Sequence, residues 1–218
     1  DAEIDQIFPL FGEAGLEANT LKGYAASEEQ FKNLSRSKDR MNSPRVIHLS
    51  THGYFYPNLF QDTTTALPVS LPHTIKSADN PLIRSGLILA GGNYAWQKGE
   101  PFRPWMEDGI LTAYEIVPMD LSSTELVVLS ACESGLGDID GNEGVYGLQR
   151  AFKIAGVRYI IMSLWQVPDA ATVELMTRFY THLLKHHQSV RKSLLQAQKE
   201  MRMDGYDPYQ WAGFVLIE

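Results

Sequence analysis

The sequence has a single cysteine among its 218 residues, and this scarcity limits both its stabilisation and its chemistry. One cysteine excludes an internal disulfide and favours a reducing compartment, so we expect a cytoplasmic protein. No apolar run approaches the roughly 18 residues that a membrane span needs, and no basic-then-apolar segment typical of secretion opens the chain. The chain begins at Asp1 rather than Met, which indicates a piece of a longer protein or a processed product.

The chain also has fewer basic residues, 19, than acidic residues, 26. The formal net charge is −7, which argues against nucleic acid as a direct partner and mildly favours basic ones. Apolar residues make up 44% of the chain and charged residues 21%, both ordinary for a globular enzyme. Because no internal repeat or clear break divides the sequence, we expect one domain over residues 1–218.

Short apolar segments alternate with helical patterns along most of the chain. The spacing predicts strands at 16–21, 45–50, 86–90, 125–130, 157–165 and 211–217. It predicts helices at 1–10, after the capping-box residue Ser27, and at 109–116, 145–155, 169–186 and 189–203. Strands alternating with helices indicate an α/β fold with a mostly parallel sheet and right-handed crossovers.

Two long irregular segments interrupt this alternation, at 54–85 and 92–108. The first is rich in proline and polar residues, as functional or disordered loops often are. The second carries Trp96, Phe102 and Trp105 and predicts a hairpin or a lid, where core or lid packing is favoured over stacking on a peptide.

Two of the predicted strands are followed by residues that could act as a catalytic base or a nucleophile. The strand at 45–50 is followed by His52 and Gly53, and the strand at 125–130 is followed by Cys132. The carboxyl ends of parallel strands meet at one edge of a sheet, where ligands bind. A thiol needs a base to become a nucleophile. The glycines near both residues leave N–H groups free for a developing oxyanion.

Histidines other than His52 fit a catalytic role less well. His182, His186 and His187 follow a helix end, where a solvated surface position is expected, and His73 lies in the proline-rich segment. His48 lies within its strand, which predicts a core histidine that steadies His52 or the sheet.

The acidic segment after Cys132 imitates the start of a calcium-binding loop with Asp138, Asp140 and Asn142. The match fails because Glu143 occupies the required glycine position and Gln149 the position of the final glutamate. The histidines lack zinc-ligand spacing as well. We therefore expect neither a metal nor a cofactor, and we interpret 136–144 as a flexible acidic loop.

Five segments in order resemble the CHAT domain, a member of the caspase–separase group (clan CD) of cysteine peptidases that often follows tetratricopeptide repeats. They are His48-Leu-Ser-Thr-His52-Gly53, Leu129-Ser-Ala-Cys132-Glu-Ser-Gly, Gly144-Val-Tyr-Gly-Leu, Ser163-Leu-Trp165-Gln-Val-Pro-Asp169 and Trp211-Ala-Gly-Phe-Val-Leu. The resemblance covers residues 20–218. The usual first strand of such a domain is not evident before residue 15.

The resemblance implies a three-layer α/β/α caspase-like sandwich with a mostly parallel central sheet. It also implies a catalytic dyad of His52 and Cys132, with oxyanion donors at Gly53 and Cys132. The expected activity is cleavage of a protein or peptide substrate through a thioester. Control by a regulatory partner or a tetratricopeptide-repeat domain is expected, with the segments 54–85 and 136–144 disordered or misplaced until that partner binds.

The substrate-binding residues suggested by the resemblance are Ser130, Trp165 and Asp169. Related metacaspases carry an acidic residue two positions before the cysteine, and Ser130 stands there in this sequence. Separases are similar around Trp165 and Asp169, so Asp169 could face a basic P1 side chain, preferably arginine. Asp169 could equally cap the helix that follows it.

Two other functions remain open at the level of sequence. A scaffold or interaction module could keep the fold without turnover, although such a module would need neither His52 nor Cys132. A different acyl transfer, such as transpeptidation, would use the same dyad and the same thioester.

Overall fold

The computed structural model describes residues 2–35, 43–56, 80–130 and 142–218, with the side chains of 142–146 excepted. In this part of the chain the strands are β1 Val46–Leu49, β2 His52–Phe55, β3 Ser85–Ile88, β4 Ile110–Thr112, β5 Leu126–Leu129, β6 Tyr159–Ser163 and β7 Phe214–Ile217. The helices are α1 Ala2–Glu13, α2 Glu28–Asn33, α3 Gly92–Lys98, α4 Ala113–Ile116, α5 Asn142–Ile154, α6 Asp169–Tyr180, α7 Val190–Met203 and α8 Pro208–Trp211. A 3₁₀ turn spans Gly23–Ala25, and a π-helical turn over Thr181–Lys185 continues α6.

The main sheet has the strand order β1-β5-β6-β7. Strands β1, β5 and β6 are parallel, and β7 pairs antiparallel with β6. All four residues of β5 are buried, which agrees with its continuous apolar sequence, because a central parallel strand is covered on both faces. The mostly parallel sheet predicted from the sequence is confirmed.

Helices cover both faces of this sheet. One face buries Ile47, Val127 and Ile160 against α2, α4 and α5. The other face buries Val128 and Ile161 against α1, α6 and α7. Because strand residues alternate between faces, the two apolar clusters lie on opposite sides of the same strands. The result is the three-layer α/β/α arrangement that the resemblance implied.

A smaller antiparallel sheet with the order β2-β3-β4 begins immediately after β1. Its apolar side joins the first cluster through Leu87 and Leu111. Tyr54 packs against Trp96 of α3, with ring centroids 5.0 Å apart. The sequence predicted only the middle strand of this sheet, at 86–90, because β2 and β4 carry too little pattern to be recognised.

Two local predictions were wrong. The segment 16–21 forms no strand: Leu16 and Leu21 are both exposed, so its apolar residues have no partner layer. The segment 92–108 is not a continuous irregular loop, since α3 occupies its first part, while Phe102 and Trp105 are exposed. Most of the proline-rich segment, residues 57–79, lies outside the described residues.

The predicted helix at 109–116 is helical only over Ala113–Ile116, because Ile110–Thr112 forms β4. The remaining strand and helix predictions agree with the structure to within a few residues at their ends. Gly156 ends α5 with a left-handed φ of 101°, and the Val157 N–H donates to the Phe152 carbonyl at 3.0 Å. Within the described residues, no helix is both long and apolar enough to cross a membrane.

Candidate active site

The two strands that precede His52 and Cys132 are immediate neighbours in the main sheet. Leu49 at the end of β1 is the partner of Leu129 at the end of β5. The Ser130 N–H extends this ladder by one bond, to the Leu49 carbonyl at 2.9 Å. His52 and Cys132 stand the same number of positions beyond the paired leucines (49 to 52 and 129 to 132). Adjacent strands lie about 4.8 Å apart, so the chain leaves the main sheet after Leu49 and after Ser130 at neighbouring positions of one edge.

His52 is the first residue of β2 and is exposed. The chain turns through Ser50 and Thr51 between the two sheets. The Thr51 hydroxyl donates to the Ile88 carbonyl, which ties this turn to β3. An imidazole in this position is accessible to a substrate, and its backbone is held by pairing with β3. Cys132 itself lies outside the described residues.

The backbone N–H of Gly53 is directed away from β3. In an antiparallel ladder, directly opposed residues alternate between hydrogen-bonded and non-bonded pairs. The Tyr56 N–H donates to the Arg84 carbonyl at 2.9 Å, which makes that pair a bonded one. Counting back through the register makes Gly53 and Leu87 a non-bonded pair. The Gly53 N–H therefore faces the outer edge of β2, as an oxyanion donor would require.

His48 is the core histidine that the sequence predicted. Its Nε2 lies 3.0 Å from a carboxylate oxygen of Glu3, and its Nδ1 lies 3.0 Å from the hydroxyl of Tyr180. Because an ionised carboxylate only accepts, Nε2 carries the proton, and the Tyr180 O–H donates to Nδ1. These contacts stabilise the join between β1 and the helices α1 and α6.

Glu3 is a member of this site that sequence reasoning missed. Its side chain is buried, although an acidic residue in the first turn of a helix is ordinarily solvated. Burial by itself raises the pKa of Glu3. The hydrogen bond from His48, with smaller contributions from the hydroxyls of Ser130 and Ser50, outweighs burial and holds that pKa below its usual value. No spacing in the sequence connects position 3 to position 48.

Ser130 is only 6% exposed, and it faces the same side of the sheet as His48. Its hydroxyl makes no hydrogen bond of good geometry within the described residues, but it lies close enough to Glu3 to affect the pKa of that carboxyl. Buried hydroxyl groups without a hydrogen-bond partner are rare in folded proteins. The structure therefore locates the predicted substrate-binding residue Ser130 beside a carboxylate.

Trp165 and Asp169 follow β6, the next strand along the same edge. The Trp165 ring stacks on Tyr209 with centroids 5.7 Å apart, and its Nε1–H donates to the Tyr209 carbonyl at 2.8 Å. Asp169 is exposed in the first turn of α6. The capping interpretation of Asp169 was wrong in detail, because Pro168 occupies the N-cap position and no side chain caps the helix there.

Comparison with known proteins gives this edge a context. The profile of the family described as "CHAT domain" matches residues 1–218, the whole chain. The chain belongs to the CHAT domain family. This family is caspase-like, in agreement with the α/β/α layers and the mostly parallel sheet.

Curated relatives of this CHAT domain include tetratricopeptide repeat protein 28 of Mus musculus, which is 33% identical over 117 residues. The protein of the same name from Homo sapiens is 32% identical over 117 residues. The match covers 52% of this chain and only 5% of each relative. Both relatives are therefore much longer proteins that carry a related segment.

A second cluster of charged residues joins α2 to α4. Carboxylate oxygens of Glu28, Glu107 and Glu115 lie within 4.8 Å of one another, a spacing that a metal ion could use. The ammonium group of Lys32 already lies among them, at 2.6 Å from Glu28, 3.1 Å from Glu107 and 2.9 Å from Glu115. The cluster in this CHAT domain is therefore an ion-pair network centred on lysine.

Several residues singled out in the sequence lie outside the described residues. They are His73, Cys132 and the acidic residues Asp138 and Asp140. Within the described residues, His52, Gly53, Ser130 and the turn before Asp169 follow the carboxyl ends of the neighbouring strands β1, β5 and β6.

Proposed function

We propose that this CHAT domain is a cysteine endopeptidase that cleaves a protein substrate with His52 as base and Cys132 as nucleophile. The observation that carries the proposal is the pairing of Leu49 with Leu129, from which both residues follow at the same distance along the chain. Membership of a caspase-like family supports the same chemistry.

In the proposed reaction, His52 takes the proton from the Cys132 thiol, and the thiolate sulfur attacks the scissile carbonyl carbon. The negative charge that develops on the carbonyl oxygen is held by the N–H groups of Gly53 and Cys132. When the carbon–nitrogen bond breaks, His52 returns its proton to the leaving amine. Water then hydrolyses the thioester and regenerates the thiol.

A basic P1 residue is the substrate preference that we propose. Asp169 is exposed beyond the carboxyl end of β6, one strand away from β5. The carboxylate of Asp169 does not cap α6, so it is available to bind a guanidinium group in bidentate geometry. The overall charge of −7 would also attract a basic substrate.

Control by tetratricopeptide repeats is part of the proposal. The relatives in mouse and human are named for such repeats, and the matched segment is a small part of each. We propose that repeats or a partner that they bind govern access to the edge formed by β1, β5 and β6.

The test is covalent labelling followed by mass spectrometry, with peptidyl electrophiles that carry Arg, Leu or Asp at P1. We expect an adduct at Cys132, formed fastest with the Arg probe, and a loss of labelling rate on the order of 100-fold in His52→Ala. Asp169→Asn should remove the preference for Arg while leaving labelling by the Leu probe unchanged.

His186→Ala is the matched control, because His186 is an exposed histidine near the opposite end of the α6 segment. This control should label as the wild type does. Equal labelling of wild type and His52→Ala by every probe would identify Cys132 as an ordinary thiol and favour a non-catalytic scaffold.

A further inference from the structure

We infer that Glu3 is a positioning residue. Its carboxylate links the packing of α1 to the positions of the ends of β1 and β5, which precede His52 and Cys132. The inference rests on the proposed function for its catalytic consequence, but its structural part is independent of turnover. It assigns to α1 a role at the active edge that no sequence motif indicates.

The carboxylate of Glu3 lies beside both β1 and the end of β5. An oxygen of Glu3 lies 3.0 Å from His48 Nε2 on β1, and the hydroxyls of Ser50 and Ser130 lie near the same group. Ser50 is two positions before His52, and Ser130 is two positions before Cys132 (50 to 52 and 130 to 132). Glu3 therefore lies at the point where the chain leaves each strand toward a candidate catalytic residue.

The contact exists only while α1 is packed. Ile7 and Leu10 of α1 are buried in the apolar layer that also contains Leu175 of α6. Glu3 follows from the same helix and is 6% exposed. If α1 moved away, the His48 imidazole would lose its acceptor in a water-poor environment, where an unsatisfied polar group is costly, and the two serines would lose the neighbouring carboxylate. The strand ends would then be free to adopt other positions.

Glu3 acts through other residues rather than on the substrate. Its carboxylate is enclosed and already engaged by His48, so a substrate side chain does not reach it without displacing that bond. Candidate catalytic groups must be held within a fraction of an ångström of productive geometry. Holding the approach to both His52 and Cys132 is a role that one buried carboxylate between β1 and β5 can perform.

The experiment compares Glu3→Ala, Glu3→Gln and Glu13→Ala with the wild type. We expect Glu3→Ala to lower the labelling rate constant of Cys132 at saturating Arg probe about 10-fold to 100-fold, with little change in the probe concentration that gives half the maximal rate. Glu3→Gln keeps an oxygen acceptor and gains an amide donor, so it should recover most of that rate. Glu13→Ala removes only an exposed ion pair between α1 and Lys185 and should label normally.

Hydrogen exchange gives a second readout that does not depend on turnover. In Glu3→Ala we expect faster exchange of the amides at 50–53 and 128–130, with the amides of β6 and β7 unchanged. Labelling normalised to the folded fraction separates this local effect from a general loss of stability.

The outcomes distinguish the positioning role of Glu3 from the peptidase proposal. If Glu3→Ala lowers only the melting temperature, and both labelling and exchange at 50–53 and 128–130 match the wild type, the positioning role is wrong. If wild-type Cys132 fails to label while exchange at these segments still responds to Glu3→Ala, the positioning contact stands and the peptidase proposal fails. Failure of Glu3→Gln to recover both readouts would also overturn the inference.

Discussion

At the scale of single residues, a chain of buried polar contacts joins β1 to the helices α1 and α6. Tyr180 is fully buried on α6, and burial, aided by the charge of Glu3, raises the pKa of its hydroxyl. The hydroxyl therefore stays protonated and donates to His48 Nδ1. Each group in the series from Tyr180 through His48 to Glu3 satisfies the next, as buried polar groups require.

Replacing Tyr180 with Phe should test this chain with a minimal change in shape. The substitution leaves His48 Nδ1 without its donor, so we expect a loss of about 1–2 kcal/mol in the free energy of unfolding. Urea denaturation measures it, with Tyr24→Phe as the control because Tyr24 is 95% exposed. Equal stability of the two variants would mean that the buried hydrogen bond contributes nothing.

At the scale of elements, close backbone contact fixes the smaller sheet against α3. Gly109 has a φ of 78° and would, with a Cβ atom, meet the backbone of Gly92 and lie 2.5 Å from the Ala90 carbonyl. Gly99 has the same φ at the end of α3, but a Cβ there would meet nothing within 4 Å. The two glycines therefore share a backbone conformation and differ in the space around them.

This pair gives a matched prediction. Gly99→Ala should lose about 1 kcal/mol of unfolding free energy from left-handed strain alone. Gly109→Ala should lose more, on the order of 3 kcal/mol, because the methyl group also forces β4 away from α3. Chemical denaturation of both variants checks the order, and equal losses would show that the close packing at Gly109 is unimportant.

At the scale of the whole molecule, Lys32 joins segments that are far apart in the sequence. It pairs with Glu28 beside it on α2, with Glu107 and with Glu115 on α4. Glu28 also accepts from the Gly109 N–H at 2.9 Å. Burial, opposed by Lys32 and reinforced by the charge of Glu115, raises the pKa of Glu28 to about 7.

The raised pKa of Glu28 predicts a specific dependence of stability on pH. Between the ordinary value of 4.5 and about 7, the folded state holds a proton on Glu28 that the unfolded state has lost. The free energy of unfolding therefore falls as pH rises through this window. Glu28→Gln lacks this titration, so the stability of the wild type relative to the variant should decrease from pH 4.5 to 7.

Urea denaturation of both proteins at several pH values measures the difference. Glu17→Gln is the control, since Glu17 is exposed and the difference from wild type should not change with pH. A constant difference between wild type and Glu28→Gln would show that Glu28 titrates normally in the folded protein.

The main sheet could be predicted because its strands are short apolar runs bounded by turns, and each run needs two covered faces. The segment 16–21 was mistaken for a strand because its apolar residues resemble such a run locally. Only the absence of a neighbouring layer, which leaves Leu16 and Leu21 exposed, decides against it. The strands β2 and β4 were missed for the opposite reason. Their sequences show no clear strand pattern, and pairing with β3 stabilises them in the folded protein.

The sequence by itself determined the fold class, the strands that precede His52 and Cys132, and the core position of His48. These follow from local periodicity and from the rule that parallel strands end at one edge. The tertiary structure alone decided that β1 and β5 are neighbours in matching register and that the Gly53 N–H faces outward. It alone decided that Glu3 reaches both strand ends, because contacts between positions 3, 48, 50 and 130 depend on how separate elements pack, and no local pattern encodes that packing.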